Sequence, residues 1–179
     1  RLVSLQLDGN ALSSVDCIRS MRALRDLSAD DNRIEEFVSG AACRMTMTNL
    51  SLAGNRVKAL GSIGDLVELQ SLSLSRNQLQ DFDGIERCGK LRVLNLSNNY
   101  IVSVPCIRKM NALAHLTELR LSRNRLTSFP FACVSLPNLR SLHLDENRIS
   151  EEGVKVINDM FATELQGSAV LGPLDDNDD

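Results

Sequence analysis

The chain is governed by a repeat. An L-x-x-L-x-L-x-x-N-x-L run occurs seven times: LVSLQLDGNAL from Leu2, LRDLSADDNRI from Leu24, MTNLSLAGNRV from Met47, LQSLSLSRNQL from Leu69, LRVLNLSNNYI from Leu91, LTELRLSRNRL from Leu116 and LRSLHLDENRI from Leu139. Successive copies start 22, 23, 22, 22, 25 and 23 residues apart. A unit this short cannot bury its own apolar face, so neighbouring copies must stack and share a core. Within each copy the L-x-L pair alternates as a half-buried strand does. Behind it, apolar residues recur at steps of three: Val15, Ile18 and Met21; Leu60, Ile63 and Leu66; Phe82, Ile85 and Cys88. That spacing suits a tight 3-10 or extended return and leaves no room for a long helix.

The repeat therefore predicts an α/β solenoid, a right-handed coil with one repeat per turn. One parallel β-sheet of seven strands, about 4.8 Å apart, lines its concave face. Short 3-10, helical or extended returns form the convex face. The Asn column is complete (Asn10, Asn32, Asn55, Asn77, Asn99, Asn124, Asn147). The chain must bend out of each strand there, and an amide side chain has both the donor and the acceptor that a buried bend leaves wanting.

This pattern resembles the leucine-rich repeat family, in the 22-residue class that includes the regulatory subunit of protein phosphatase 1 and the light chain of axonemal outer-arm dynein. The resemblance spans residues 2 to about 150 and rests on core residues. It implies a concave binding surface, usually for a protein, inside the cell.

Residues 1–162 read as the repeat domain, closed by a capping helix at 151–162, and 163–179 as an acidic flexible tail. Ser150 ahead of Glu151 and Glu152 is a helix-start signal, and Val154, Ile157 and Phe161 share one face. Two returns depart from the pattern. In VPCIRKMNALAHL, Ile107, Met110 and Ala114 lie at helical spacing and predict a helical turn. Pro130 and Pro137 around FACVSL predict an extended one. No capping segment precedes the first strand, so residues upstream of Arg1, or a partner, are expected to cover that edge. The chain starts in mid-pattern and is expected to be part of a larger chain or complex.

Composition narrows the function. With 20 basic and 23 acidic residues the formal charge is −3, and residues 1–174 alone carry +1, because Asp175, Asp176, Asp178 and Asp179 hold the excess. Near-neutrality and the 3% aromatic content argue against nucleic acid. No apolar run is long enough for membrane insertion. No secretory signal opens the chain, and the five widely spaced cysteines read as free thiols, so a cytoplasmic location is expected. No His, Cys or carboxylate spacing marks a metal site, and no cofactor motif occurs. His143 has Arg120 in the same lateral column and Asp145 two residues on, a pair able to orient a base. No nucleophile accompanies it, so the chain is not read as an enzyme. The sequons at Asn49 and Asn95 read as coincidence, since a glycan on either would block the concave face.

What remains is the outward set of each strand. It grades from acidic (Asp8, Asp26, Asp30) through a Ser lane (Ser71, Ser73, Ser75) to mixed charge (Glu118, Arg120, His143, Asp145). Small side chains admit a partner closely, and charges orient it. The candidate protein-binding residues on the concave face and its rim are Ser73, Ser75, Arg76, Asn95, Ser97, Tyr100, Arg120, Arg123, Arg125, His143 and Asp145. Arg33, Arg56 and Arg148 follow the Asn column along the rim. The expected function is a non-enzymatic protein–protein interaction module, an adaptor or structural subunit of an intracellular, cytoskeletal or ciliary assembly. The alternatives are a regulatory subunit that positions a phosphatase or other enzyme, and an extracellular or surface ligand-binding repeat.

Overall fold

The computed structural model describes residues 1–105, 107–128, 136–163 and 168–170. Each L-x-L pair forms a three-residue strand: β1 (Ser4–Gln6), β2 (Asp26–Ser28), β3 (Asn49–Ser51), β4 (Ser71–Ser73), β5 (Val93–Asn95), β6 (Glu118–Arg120) and β7 (Ser141–His143). They pair in parallel and in chain order within one sheet. The register repeats without slippage, setting Leu5, Leu27, Leu50, Leu72, Leu94, Leu119 and Leu142 side by side. A one-residue slip would turn that whole Leu row outward, so burial locks the register. From Leu27 onward these leucines are at most 2% exposed.

Three-residue spacing gives 3-10 returns at Asp16–Ser20, Gly61–Asp65 and Ile85–Arg87. The fifth return is α-helical, as expected, in α1 (Ile107–Asn111). Its inward residues differ from the expectation: Met110 and Leu113 are buried, whereas Ala114 is exposed. After the single α turn the chain tightens. The Leu113 N–H donates to the Met110 carbonyl and the Leu116 N–H to the Leu113 carbonyl, each at 2.9 Å, so inward positions again recur every three residues. The expected extended return around Pro130, the Phe129 side chain and Cys106 and Cys133 lie outside the described residues.

At the C-terminal end, α2 (Glu151–Thr163) follows the last repeat. The Ser150 hydroxyl accepts the Gly153 N–H at 3.3 Å, satisfying one free donor of the first turn. Ile157 is fully buried and Val154 packs half-buried against the core, while the Phe161 side chain lies outside what is described. An eighth strand, β8 (Ser168–Val170), pairs in parallel with β7. It adds to the seven expected strands and lies within the segment 163–179 expected to be an acidic flexible tail. The outer edge of β7 offers unpaired backbone groups, and α2 returns the chain to that edge. Residues 171–179 lie outside the described residues. At the opposite edge, just ahead of β1, Leu2 and Val3 are 49% and 46% exposed.

The Asn column is a hydrogen-bond ladder between turns. Asn77 is typical. Its amide donates to the carbonyls of Leu52 in the preceding turn (2.8 Å) and of Leu74 and Ser75 in its own (3.1 and 3.2 Å). Its Oδ1 accepts the Val57 N–H at 2.8 Å. Asn32, Asn55, Asn99, Asn124 and Asn147 repeat this set. Asn10 bonds only within its own turn, to Leu7 and Asp8.

Cys17, Cys43 and Cys88 are free thiols, the last two buried in the core. Burial, reinforced by the nearby Asp65 and Glu86 carboxylates, pushes the Cys88 thiol up from 9.0 to about 11. Because the folded value is raised, the resulting stability is complete below about pH 9 and is lost as pH rises toward 11. Thiol labelling of the native protein at pH 8, mapped by mass spectrometry, should modify exposed Cys17 and spare Cys88 until the chain is unfolded. Equal labelling of the two would contradict a closed core at the fourth turn.

Candidate binding face

On the concave side the register creates two outward columns. One runs Ser4, Asp26, Asn49, Ser71, Val93, Glu118, Ser141; the other runs Gln6, Ser28, Ser51, Ser73, Asn95, Arg120, His143. A third follows the strands: Asp8, Asp30, Ala53, Ser75, Ser97, Ser122, Asp145. The acids of this third column act as struts between turns. The Asp8 carboxylate accepts the Ser28 hydroxyl and the Asp30 N–H, both at 2.7 Å. Asp30 does the same for the Ser51 hydroxyl (2.6 Å) and the Ala53 N–H (2.7 Å). Asp145 accepts the Ser122 hydroxyl. These acids are therefore partly committed to the fold, a role that their outward position in the sequence does not disclose.

Eight of the eleven candidate residues gather in one place. Ser75, Arg76, Asn95, Ser97, Arg120, Arg123, His143 and Asp145 line an open depression of about 550 Å³ over β4–β7, together with Asn98 and Ser122. Ser73 instead lines a smaller depression of about 280 Å³ over β1–β4, with Gln6, Asp26 and Ser51 among its walls. Tyr100 and Arg125 belong to neither. They stand on the ridge after the Asn column, with the Arg125 guanidinium 4.5 Å from the Tyr100 ring centroid.

Each arginine in the larger depression is held by a carboxylate. Arg120 pairs with Glu118 on its own strand. Arg123 meets both oxygens of Glu146 in the next turn at 2.8 Å. Arg76 reaches back two turns to Asp31 at 3.1 Å. That last pair passes over Gly54, where a Cβ would lie 2.1 Å from the Asp31 carboxylate. The His143 ring contacts the Ser141 hydroxyl at 2.9 Å, while Asp145 engages Ser122. The His–Asp pairing expected for an oriented base is thus replaced by two separate contacts. Among the described residues, no group of three or more His, Cys, Asp and Glu side chains could hold a metal ion. No helix among them is long and apolar enough to cross a membrane.

One determinant escapes the sequence pattern. The residue before each Asn adopts positive φ at every turn: Gly9, Asp31, Gly54, Arg76, Asn98, Arg123 and Glu146, with φ between 53° and 67°. Gly, Asn and Asp tolerate this conformation, whereas Arg and Glu incur strain from Cβ. Four tolerant residues in one column were the available signal. Three long charged side chains therefore occupy strained positions: Arg76 and Arg123, which line the depression, and Glu146, which pairs with Arg123.

Residues 89–149 match the model of the leucine rich repeat family. In sequence the chain is similar to human leucine-rich repeats and immunoglobulin-like domains protein 3 (28% identical over 150 residues, 81% of this chain and 13% of that protein). It is also similar to Toll-like receptor 2 of Macaca mulatta (29% identical over 161 residues, 83% of this chain and 20% of that protein). In structure it is similar to a leucine-rich-repeat protein of Leptospira interrogans, with a TM-score of 0.69 at 24% identity over 94% of this chain and 48% of that one. An internalin from Listeria monocytogenes gives 0.67 at 19% identity, over 97% of this chain and 57% of that one. The fold is thus a leucine-rich-repeat solenoid, and the chain spans a fifth or less of these curated relatives.

Proposed function

We propose that the chain is a non-enzymatic protein-interaction module whose partner docks in the depression over β4–β7. The observation that carries this reading is the set of arginines at its rim, already ordered by carboxylates and, at Arg76 and Arg123, held in strained backbone. The bend demands positive φ at every turn, and Arg76 and Arg123 adopt it where Gly, Asn or Asp would do so without strain. Surface ion pairs contribute little to stability, so Glu118 and Glu146 can exchange for a partner's carboxylates at small cost. Part of the entropy of ordering each guanidinium is already lost before binding. The Ser and Asn floor allows close approach of a partner's backbone.

Within this reading the module acts as an adaptor or structural subunit of an intracellular assembly, a setting supported by the free thiols at Cys17, Cys43 and Cys88. A surface-receptor reading draws on the similarity to Toll-like receptor 2. Against it stands Asn95, a sequon residue within the depression, where a glycan would obstruct docking. The reading is tested by affinity capture with wild-type protein and with the Arg120→Glu/Arg123→Glu variant, quantified protein by protein. Both side chains are exposed, so the variant should keep the wild-type circular dichroism. The specific partner should drop by about 30-fold, the equivalent of about 2 kcal/mol. Equal recovery by a folded variant would remove the depression as the docking site.

A further inference from the structure

We propose that the ridge beside the Asn column is a second docking line, one that holds an acidic peptide segment along the solenoid axis. Its members are the residues after the ladder Asn of the second to seventh turns: Arg33, Arg56, Gln78, Tyr100, Arg125 and Arg148. A backbone ladder places them one above another. The N–H of each donates to a carbonyl of the preceding turn, those of Leu12, Ile34, Val57, Leu79, Ile101 and Leu126, at 2.8–2.9 Å. The side chains are thereby aligned by main-chain bonds and all leave the same flank; every one but Gln78 is exposed.

The arginines of this ridge differ from those of the concave face. Arg76, Arg120 and Arg123 are each bound to a carboxylate. Among the described residues, Arg33, Arg56, Arg125 and Arg148 form no ion pair, so their guanidinium charge is available to an incoming acid. The parallel column two residues on adds one acid, Glu35, and one base, Lys58, leaving the sum unchanged. At the centre of the line, Tyr100 is 44% and Val102 54% exposed, and Arg125 is ordered over the Tyr100 ring. The ridge is therefore basic at both ends and apolar in the middle. Tyr and Arg are the residue types that dominate binding energy at interfaces.

The complementary ligand is acidic at its ends with apolar side chains between. Five inter-turn spacings of about 4.8 Å separate Arg33 from Arg148, roughly 24 Å, which about seven or eight extended residues cover. A nucleic-acid ligand fits less well, because the described line presents one aromatic ring and the whole chain carries −3.

The test uses a fluorescein-labelled octapeptide, Glu-Glu-Glu-Leu-Phe-Glu-Glu-Glu, titrated with the chain at low salt and followed by anisotropy, with an octathymidylate as the competing polyanion. Wild type should bind the peptide, with affinity falling as salt rises. Arg125→Glu/Arg148→Glu should weaken it at least about tenfold and Tyr100→Ala about threefold. Arg120→Gln/Arg123→Gln, measured at about 0.15 M salt beside Arg125→Gln/Arg148→Gln, should weaken it by clearly less than that ridge pair, by about threefold at most. Circular dichroism confirms that each variant is folded. Absence of binding by wild type, undiminished binding by the folded ridge variant, or tighter binding of the octathymidylate overturns the proposal. Because the concave variant is measured in the same series, the ridge can fail while the depression stands, and the reverse.

Discussion

Asn77→Ala is expected to destabilise the fold by about 1–3 kcal/mol, chiefly because the buried Val57 N–H loses its acceptor in the next turn. The Val57 N–H donates to the Asn77 Oδ1, whereas the Leu52 carbonyl, which also accepts the Asn55 amide at 3.0 Å, loses one of its two donors. Asn77→Asp distinguishes this cause from simple loss of volume. It keeps an acceptor for Val57 but removes the donor and places a carboxylate at a position 6% exposed, so it should cost as much or more. Asn10→Ala is the internal control. Asn10 is exposed and bonds only to Leu7 and Asp8, so its loss should cost under about 1 kcal/mol. Urea unfolding of the three variants checks the set. Similar small losses at positions 10 and 77 would show that the amide column does not tie turn to turn.

The repeat made most of the fold legible. An apolar pair that alternates and an Asn that recurs each turn state both the strand and the bend, because every turn solves the same packing problem against its neighbour. Leu72 and Leu94 need no long-range inference to be placed side by side. The returns were legible wherever apolar residues kept a step of three, as at Ile63 and Leu66. They were less so in the fifth turn, where one α turn shifts the inward position from Ala114 to Leu113. The strand β8 was not legible, since its pairing depends on the free edge of β7 and on where α2 delivers the chain, not on any repeat of its own.

The binding face was legible as a set of outward positions, not as an electrostatic surface. Period-two alternation tells which side chains leave the sheet, so Asn95, Arg120 and His143 fall together as expected. It does not tell which charges cancel. That depends on side chains one and two turns apart, such as Asp31 reaching Arg76 across Gly54. Nor does alternation separate rim from face: Tyr100 and Arg125 lie past the bend, where the positive-φ residue has already turned the chain. The arginines inside the depression are thus paired and those on the ridge are open, a division that composition alone conceals.

Phe82→Ala is expected to cost about 3–5 kcal/mol, while Phe82→Leu should cost under about 1.5 kcal/mol. The ring is fully buried in a column shared by Val15, Phe37, Leu60 and Val104, so it fills the layer between the third and fifth turns. Alanine there leaves a cavity that a backbone pinned by the sheet and the Asn ladder can close only in part, whereas leucine retains most of the volume. The site of the loss matters as much as its size. In a solenoid each turn packs its core against its neighbours, so weakening the fourth turn weakens both of its interfaces and divides the chain there. Urea unfolding of Phe82→Ala should therefore broaden or split. Native-state hydrogen exchange should show protection falling first at Leu74, Leu79 and Leu96, with less change at Leu27. A loss of protection spread evenly over all turns would mean that the solenoid unfolds as one indivisible unit, and an unchanged midpoint would refute the core position of the ring.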